Sequence, residues 1–132
     1  MTFKLSDGEQ VRTVRCAVAS GTVIPAGALA GMTDGLAVDA IETTAAVAWC
    51  PGGSADGETV CELTVGNDFT LKGTADAVFA VAYRADLVDI TAAQLIDIET
   101  SSTNVLKVDL SENAGTVDST DDVVVRINKP IF

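Results

Sequence analysis

Short runs of β-branched and other apolar residues, each cut off by Gly, Asp, Asn, Ser or Thr, set the texture of this chain. Val and Thr are abundant, and both favour the half-buried pleated surface of a sheet. Turn signals recur about every eight to twelve residues, the spacing of an all-β sandwich or barrel. No long amphipathic helical pattern competes with them, and no repeat of fixed period divides the chain.

Gln10–Val18 alternates, with Val14, Cys16 and Val18 on the predicted core side. Ser20-Gly21 ends that strand. Pro25, which lacks an N–H, suits a corner, and Gly27 suits a turn of positive φ. Thr33-Asp34-Gly35 is a further turn before Leu36-Ala37-Val38. Ala45–Cys50 reads as a buried strand carrying the only tryptophan, Trp49, and residues 51–57 read as a loop. Thr59–Val65 alternates, Gly66-Asn67-Asp68 turns, and Phe69–Leu71 follows. Ala77–Tyr83 is so apolar that a central strand is predicted. At Ile90–Ile98 a helix competes. Thr91 takes the form of an N-cap with Gln94 at the third helical position, so at most one or two helical turns are predicted near residues 91–97. Val105–Leu110 and Val123–Ile127 are the last strands, separated by an acidic, Gly-bearing stretch. The expected fold is all-β, a compact β-sandwich or small β-barrel. Residues 1–10 form an N-terminal arm and residues 11–132 a single β domain.

A chain of 132 residues suits one such domain. Its apolar fraction is 48% but its aromatic fraction only 5%, so Val, Ala, Leu and Ile must fill the core. Scarce aromatics also weaken readings that need stacking platforms for sugars or single-stranded nucleic acid. The net charge of −11, from 19 acidic and eight basic residues, repels a phosphate backbone and an anionic membrane surface. No nucleic acid and no membrane partner is therefore expected. Either solubility or docking onto a basic surface accounts for the acidity. Met1–Gln10 lacks the apolar run of a secretory signal, so synthesis in a cytosol is expected.

Histidine is absent, which removes the usual general base at neutral pH and the commonest metal ligand. Cys16, Cys50 and Cys61 are odd in number and match no disulfide or zinc pattern. Three small buried apolar residues is the plainer reading. A Cys50–Cys61 bridge is the alternative, and in the entropic view its loop of about ten residues contributes roughly 2–3 kcal/mol. Asp86 with Asp89, and Asp121 with Asp122, are close carboxylate pairs of the kind chance produces in so acidic a chain. Ser54–Glu58 and Asp118–Asp122 are oxygen-rich loops without EF-hand spacing. No catalytic residue, cofactor or metal is assigned, and the chain is expected not to be an enzyme.

The two ends hold the candidate contacts. Phe3 and Leu5 stand among polar residues before the first strand and can dock on a neighbour by β-addition. Ile131 and Phe132 close the sequence with apolar side chains that need a partner or a core.

Residues Val18-Ala19-Ser20-Gly21-Thr22-Val23-Ile24-Pro25-Ala26-Gly27-Ala28-Leu29 resemble the opening of small capsid decoration (cement) proteins of tailed bacteriophages. Ala45–Trp49 and the Val-rich strand Val123–Ile127 extend the likeness. The resemblance implies a β-rich viral structural protein on the outer surface of an icosahedral capsid. It would bind the major capsid protein lattice, often as a homotrimer at capsomer junctions, and clamp the shell against internal DNA pressure. The virion exterior is then its location after synthesis in the host cytoplasm. The alternative is a β-rich binding module of a tail fibre or baseplate, carbohydrate-binding among its options.

Overall fold

The computed structural model of the protein describes residues 2–8, 12–109 and 120–131. Among them run eleven strands: β1 (Lys4–Asp7), β2 (Arg12–Ala17), β3 (Ala28–Thr33), β4 (Leu36–Asp39), β5 (Ala48–Cys50), β6 (Val60–Val65), β7 (Thr70–Gly73), β8 (Leu87–Ile90), β9 (Ile96–Asp97), β10 (Leu106–Val108) and β11 (Val123–Ile127). They form two antiparallel sheets, one of six strands in the order β1-β7-β11-β10-β8-β9 and one of five in the order β2-β6-β5-β3-β4. The expected all-β sandwich is what the chain forms.

Local chemistry sets much of this. Asp34 and Gly35, at φ 52° and 78°, make the two-residue turn between β3 and β4. Positive φ at both positions matches the twist of the flanking strands, which is why Asp-Gly is favoured there.

The five-stranded sheet curls until its ends touch. Val18, just past β2, bridges Ala37 of β4, and the Ala19 N–H donates to the Ala37 carbonyl at 3.0 Å. A ring of so few strands leaves little room inside. Most of the buried residues in its core are correspondingly small: Ala28, Ala30, Ala37 and Ala48 with the three cysteines, beside the larger Val18, Ile24, Leu63 and Val65.

β3 and β5 are walls between that small core and a larger one. Leu29 and Trp49 face the large core, while their neighbours Ala28, Ala30, Ala48 and Cys50 face the small one. The large core is filled by bulkier side chains, Phe69, Phe79, Ile90, Ile96 and Leu106 among them. The six-stranded sheet also bends back on itself. Residues 74–76 continue β7 and meet β9, with the Ile96 N–H donating to the Thr74 carbonyl at 2.8 Å and the Asp76 N–H to the Ile96 carbonyl at 2.9 Å. β1 remains as an outer strand with ladder bonds on its β7 side.

Two segments differ from expectation. Ala77–Tyr83 is no strand: Val78 is 53% exposed, Phe79 is fully buried, and Val81–Tyr83 is a single 3-10 turn. The run is apolar throughout, with no alternating polar residues to mark a solvent face, and Phe79 alone is its fully buried anchor. Residues 91–97 form no helix either. They are the turn and second strand of the β8–β9 hairpin, closed by the Thr91 N–H on the Leu95 carbonyl at 2.9 Å. Gln94 sits at φ 62°, outside the helical region. Its buried side chain finds four partners elsewhere, and those outweigh a weak capping preference.

Candidate functional site

The ends of the chain were the sequence-based candidates, and the structure separates them. Phe3 is 3% exposed in the large core. Its N–H donates to the Gly27 carbonyl at 2.8 Å. Its ring lies so close to Gly73 that a Cβ there would come within 2.4 Å of it. Gly27, at φ 82°, likewise leaves room for the Phe3 carbonyl, which a Cβ would approach to 2.6 Å. Two missing side chains thus make the slot for Phe3, and its contact surface is given to its own chain rather than to solvent. Leu5 stays 42% exposed on β1. Ile131 packs beside the small core, tied by its N–H to the Val47 carbonyl at 3.1 Å. Phe132 lies outside the described residues.

Ile131 also lines an open groove of about 600 Å³ with Met32, Val38, Ile41, Thr44 and Asp39. Ile41 is 45% exposed there. The groove wall is held by a residue that the sequence placed in a helix. Gln94 reaches across from the β8–β9 hairpin and donates from Nε2 to Asp39 Oδ1 at 2.9 Å and to the Leu29 and Ala40 carbonyls at 3.1 and 3.2 Å. Its Oε1 accepts the Leu29 N–H at 2.8 Å. Burial raises the Asp39 carboxyl above its ordinary value, and the Gln94 amide works against that rise. Nothing in the local sequence marked Gln94 as a clamp, because its partners lie 54 to 65 residues away.

The remaining candidate groups have structural partners. Asp89 is 2% exposed, and its Oδ1 accepts the N–H groups of Ser102, Thr103 and Asn104 at 3.0, 2.9 and 2.9 Å. It is therefore the clasp of a loop, not half of a pair with Asp86. Asp97 is raised by burial and by the neighbouring Asp76 charge. The Tyr83 hydroxyl donates to Glu99 Oε1 at 2.8 Å, and that bond pushes its pKa up. All three cysteines are free and buried. Cys16 stands directly opposite Cys61 on β2 and β6. Burial, reinforced by Cys50, pushes the Cys61 thiol up to about 12, which leaves it protonated and weakly nucleophilic.

Of the oxygen-rich loops, Ser54–Glu58 is pinned by paired backbone bonds between Ile24 and Ser54 at 2.9 and 2.8 Å. Asp118 and Ser119 of the second lie outside the described residues. Among the described residues no three acidic, cysteine or histidine side chains converge on a common point. Compared with known proteins, the chain matches no family, no curated protein and no solved structure.

Proposed function

We propose that the protein decorates and stabilises the outer surface of an icosahedral phage capsid, as a structural protein without a catalytic step. The observation that carries this reading is the meeting of the corner that the resemblance rests on with the N-terminal strand. The Ile24–Gly27 corner receives the N-terminal strand, with Phe3 seated against Gly27 and Gly73. Strand addition onto a sheet edge is a general mode of docking, and here the N-terminal strand already uses it on β7. The outer edge of β1, bearing exposed Leu5, then faces a shell protein or a neighbouring copy. The reading includes a homotrimer on the major capsid protein lattice, located at the virion exterior after synthesis in the host cytoplasm. Many modest contacts suffice, because attachment to a lattice multiplies affinity.

Co-sedimentation with phage capsid shells stripped of their decoration tests it. Saturable binding that raises the temperature at which shells rupture is the expected result. A protein that stays in the supernatant at every concentration rules it out. The groove beside Ile131, with Asp39 and Thr44 on its wall, is what favours the tail-fibre or baseplate alternative. Binding on a glycan array, lost in Asp39→Ala, would support that reading instead.

A further inference from the structure

The outer face of the six-stranded sheet breaks a rule of sheet design. Side chains directly opposite on antiparallel strands are about 5 Å apart, and like charges there are destabilising. Lys4 of β1 stands directly opposite Lys72 of β7. Lys107 of β10 stands directly opposite Arg126 of β11. Half of the eight basic residues are thus set against one another, in a chain with 19 carboxylates to choose from. All four lie on the face away from the large core, because the alternating neighbours Leu71, Leu106, Val108, Val125 and Ile127 point into that core, while Val124 and Thr70 are buried on the outer face between them.

The two cation pairs form an array. Lys72 is also opposite Val124, and Arg126 follows two residues further along β11. Strand spacing and rise put the centres of the pairs about 12 Å apart. Lys4 and Lys107 are exposed, and Lys72 and Arg126 half-buried. A recess of about 220 Å³ opens between Lys107 and Arg126, with Asp109 at its rim and already engaged in a contact of its own. Arg126 donates from Nη1 to the Asn67 carbonyl at 2.8 Å and keeps further guanidinium donors. Thr70, opposite Arg126 on this face, is 1% exposed with its hydroxyl unpartnered.

We propose that this face binds an extended acidic segment of a partner protein, each cation pair taking one carboxylate. A carboxylate between two opposed cations converts a repulsive pair into an attractive triad. Residues four apart in an extended chain share a face at about 13 Å, close to the separation of the pairs. A nucleic acid fits less well. The chain's −11 charge opposes every anion, and a backbone with one phosphate per roughly 1.7 Å meets it at far higher charge density than a segment with one carboxylate per four residues. The aromatic residues Phe3, Trp49, Phe69, Phe79 and Tyr83 all pack on the large core, so they supply no stacking platform on this face. The inference stands apart from the capsid reading, since any protein can carry such a segment.

The test uses a fluorescent peptide alternating Glu and Ser, with its Gln counterpart as control, at low and physiological ionic strength. The wild-type protein should bind the Glu peptide, more weakly as salt rises, and ignore the Gln peptide. Lys72→Glu/Lys107→Glu should weaken binding by at least about tenfold. Arg12→Glu/Arg15→Glu makes the same change in net charge at exposed positions of β2 and should leave binding unchanged. The first double variant should melt roughly 1–4 °C above wild type, because each opposed pair becomes attractive. Absent peptide binding, an equal loss in both double variants, a lower melting temperature in the first, or tighter binding of a single-stranded oligonucleotide each overturns the proposal.

Discussion

The small core and the large core lie on either side of β3 and β5, yet they are filled by different chemistry. Inside the curled five-stranded sheet the side chains are alanines and cysteines with a few larger residues, while the large core holds phenylalanines, isoleucines and leucines. Curvature explains the contrast. A closed ring of few strands brings opposite walls together, so each inward position tolerates only a small group. Between the six-stranded sheet and its neighbour the gap is that of two stacked sheets, about 10 Å, and it needs bulk. The lesson is that the alanine content, which reads as bland composition, is the lining of a tight ring. The two regions should then fail in opposite ways, one to cavities and the other to added volume.

Phe79→Ala should show the first failure most strongly. The ring is fully buried and anchors a segment with no ladder bonds of its own. A loss of about 3–5 kcal/mol in urea unfolding is expected. A loss under about 1 kcal/mol would mean that the large core refills the space and that the contrast is wrong. Gln94→Ala tests the joint between the regions, because it leaves the Leu29 N–H without its partner. A loss on the order of 3 kcal/mol is expected from orphaned buried groups. A second unfolding transition in the same scan would show that the clamp makes the two cores one cooperative unit.

Ala30→Leu probes the small core, where Ala30 is fully buried. Overpacking should cost about 1–3 kcal/mol, whereas a neutral result would mean that the ring can expand. The smallest effect is electrostatic. Asp39 and Asp97 have folded values raised above 3.8, chiefly by burial. The folded state therefore binds their protons more tightly than the unfolded state does. Stability should rise as pH falls through the raised folded values and level off below the unfolded value near 3.8. Urea midpoints measured from neutral to acid pH should show this slope, and Asp39→Asn should flatten it.

Much of the fold was legible because it is written in local pattern. The alternation of β2 and β6, the Asp34-Gly35 turn, and the Val-rich strand β11 all depend on neighbours in sequence. The candidate contacts were legible only in part. Phe3 and Ile131 were marked as apolar groups needing cover, but which surface covers Phe3 depends on glycines 24 and 70 residues along the chain. The opposed cations were invisible in sequence, because Lys4 and Lys72 become neighbours only through strand register.

By itself, then, the sequence determined that this chain makes sheets, that most of its core is aliphatic, and that histidine chemistry is closed to it. Those properties follow from side-chain shape, two-residue periodicity and composition, none of which needs a third dimension. Tertiary structure alone decided that Gln94 is a clamp rather than a helical residue, that alanines and cysteines dominate one core while all three described phenylalanines enter the other, and that four cations share one face. The reason is range: a hydrogen bond or a charge pair acts over a few ångströms of space, and only folding decides which distant residues come that close.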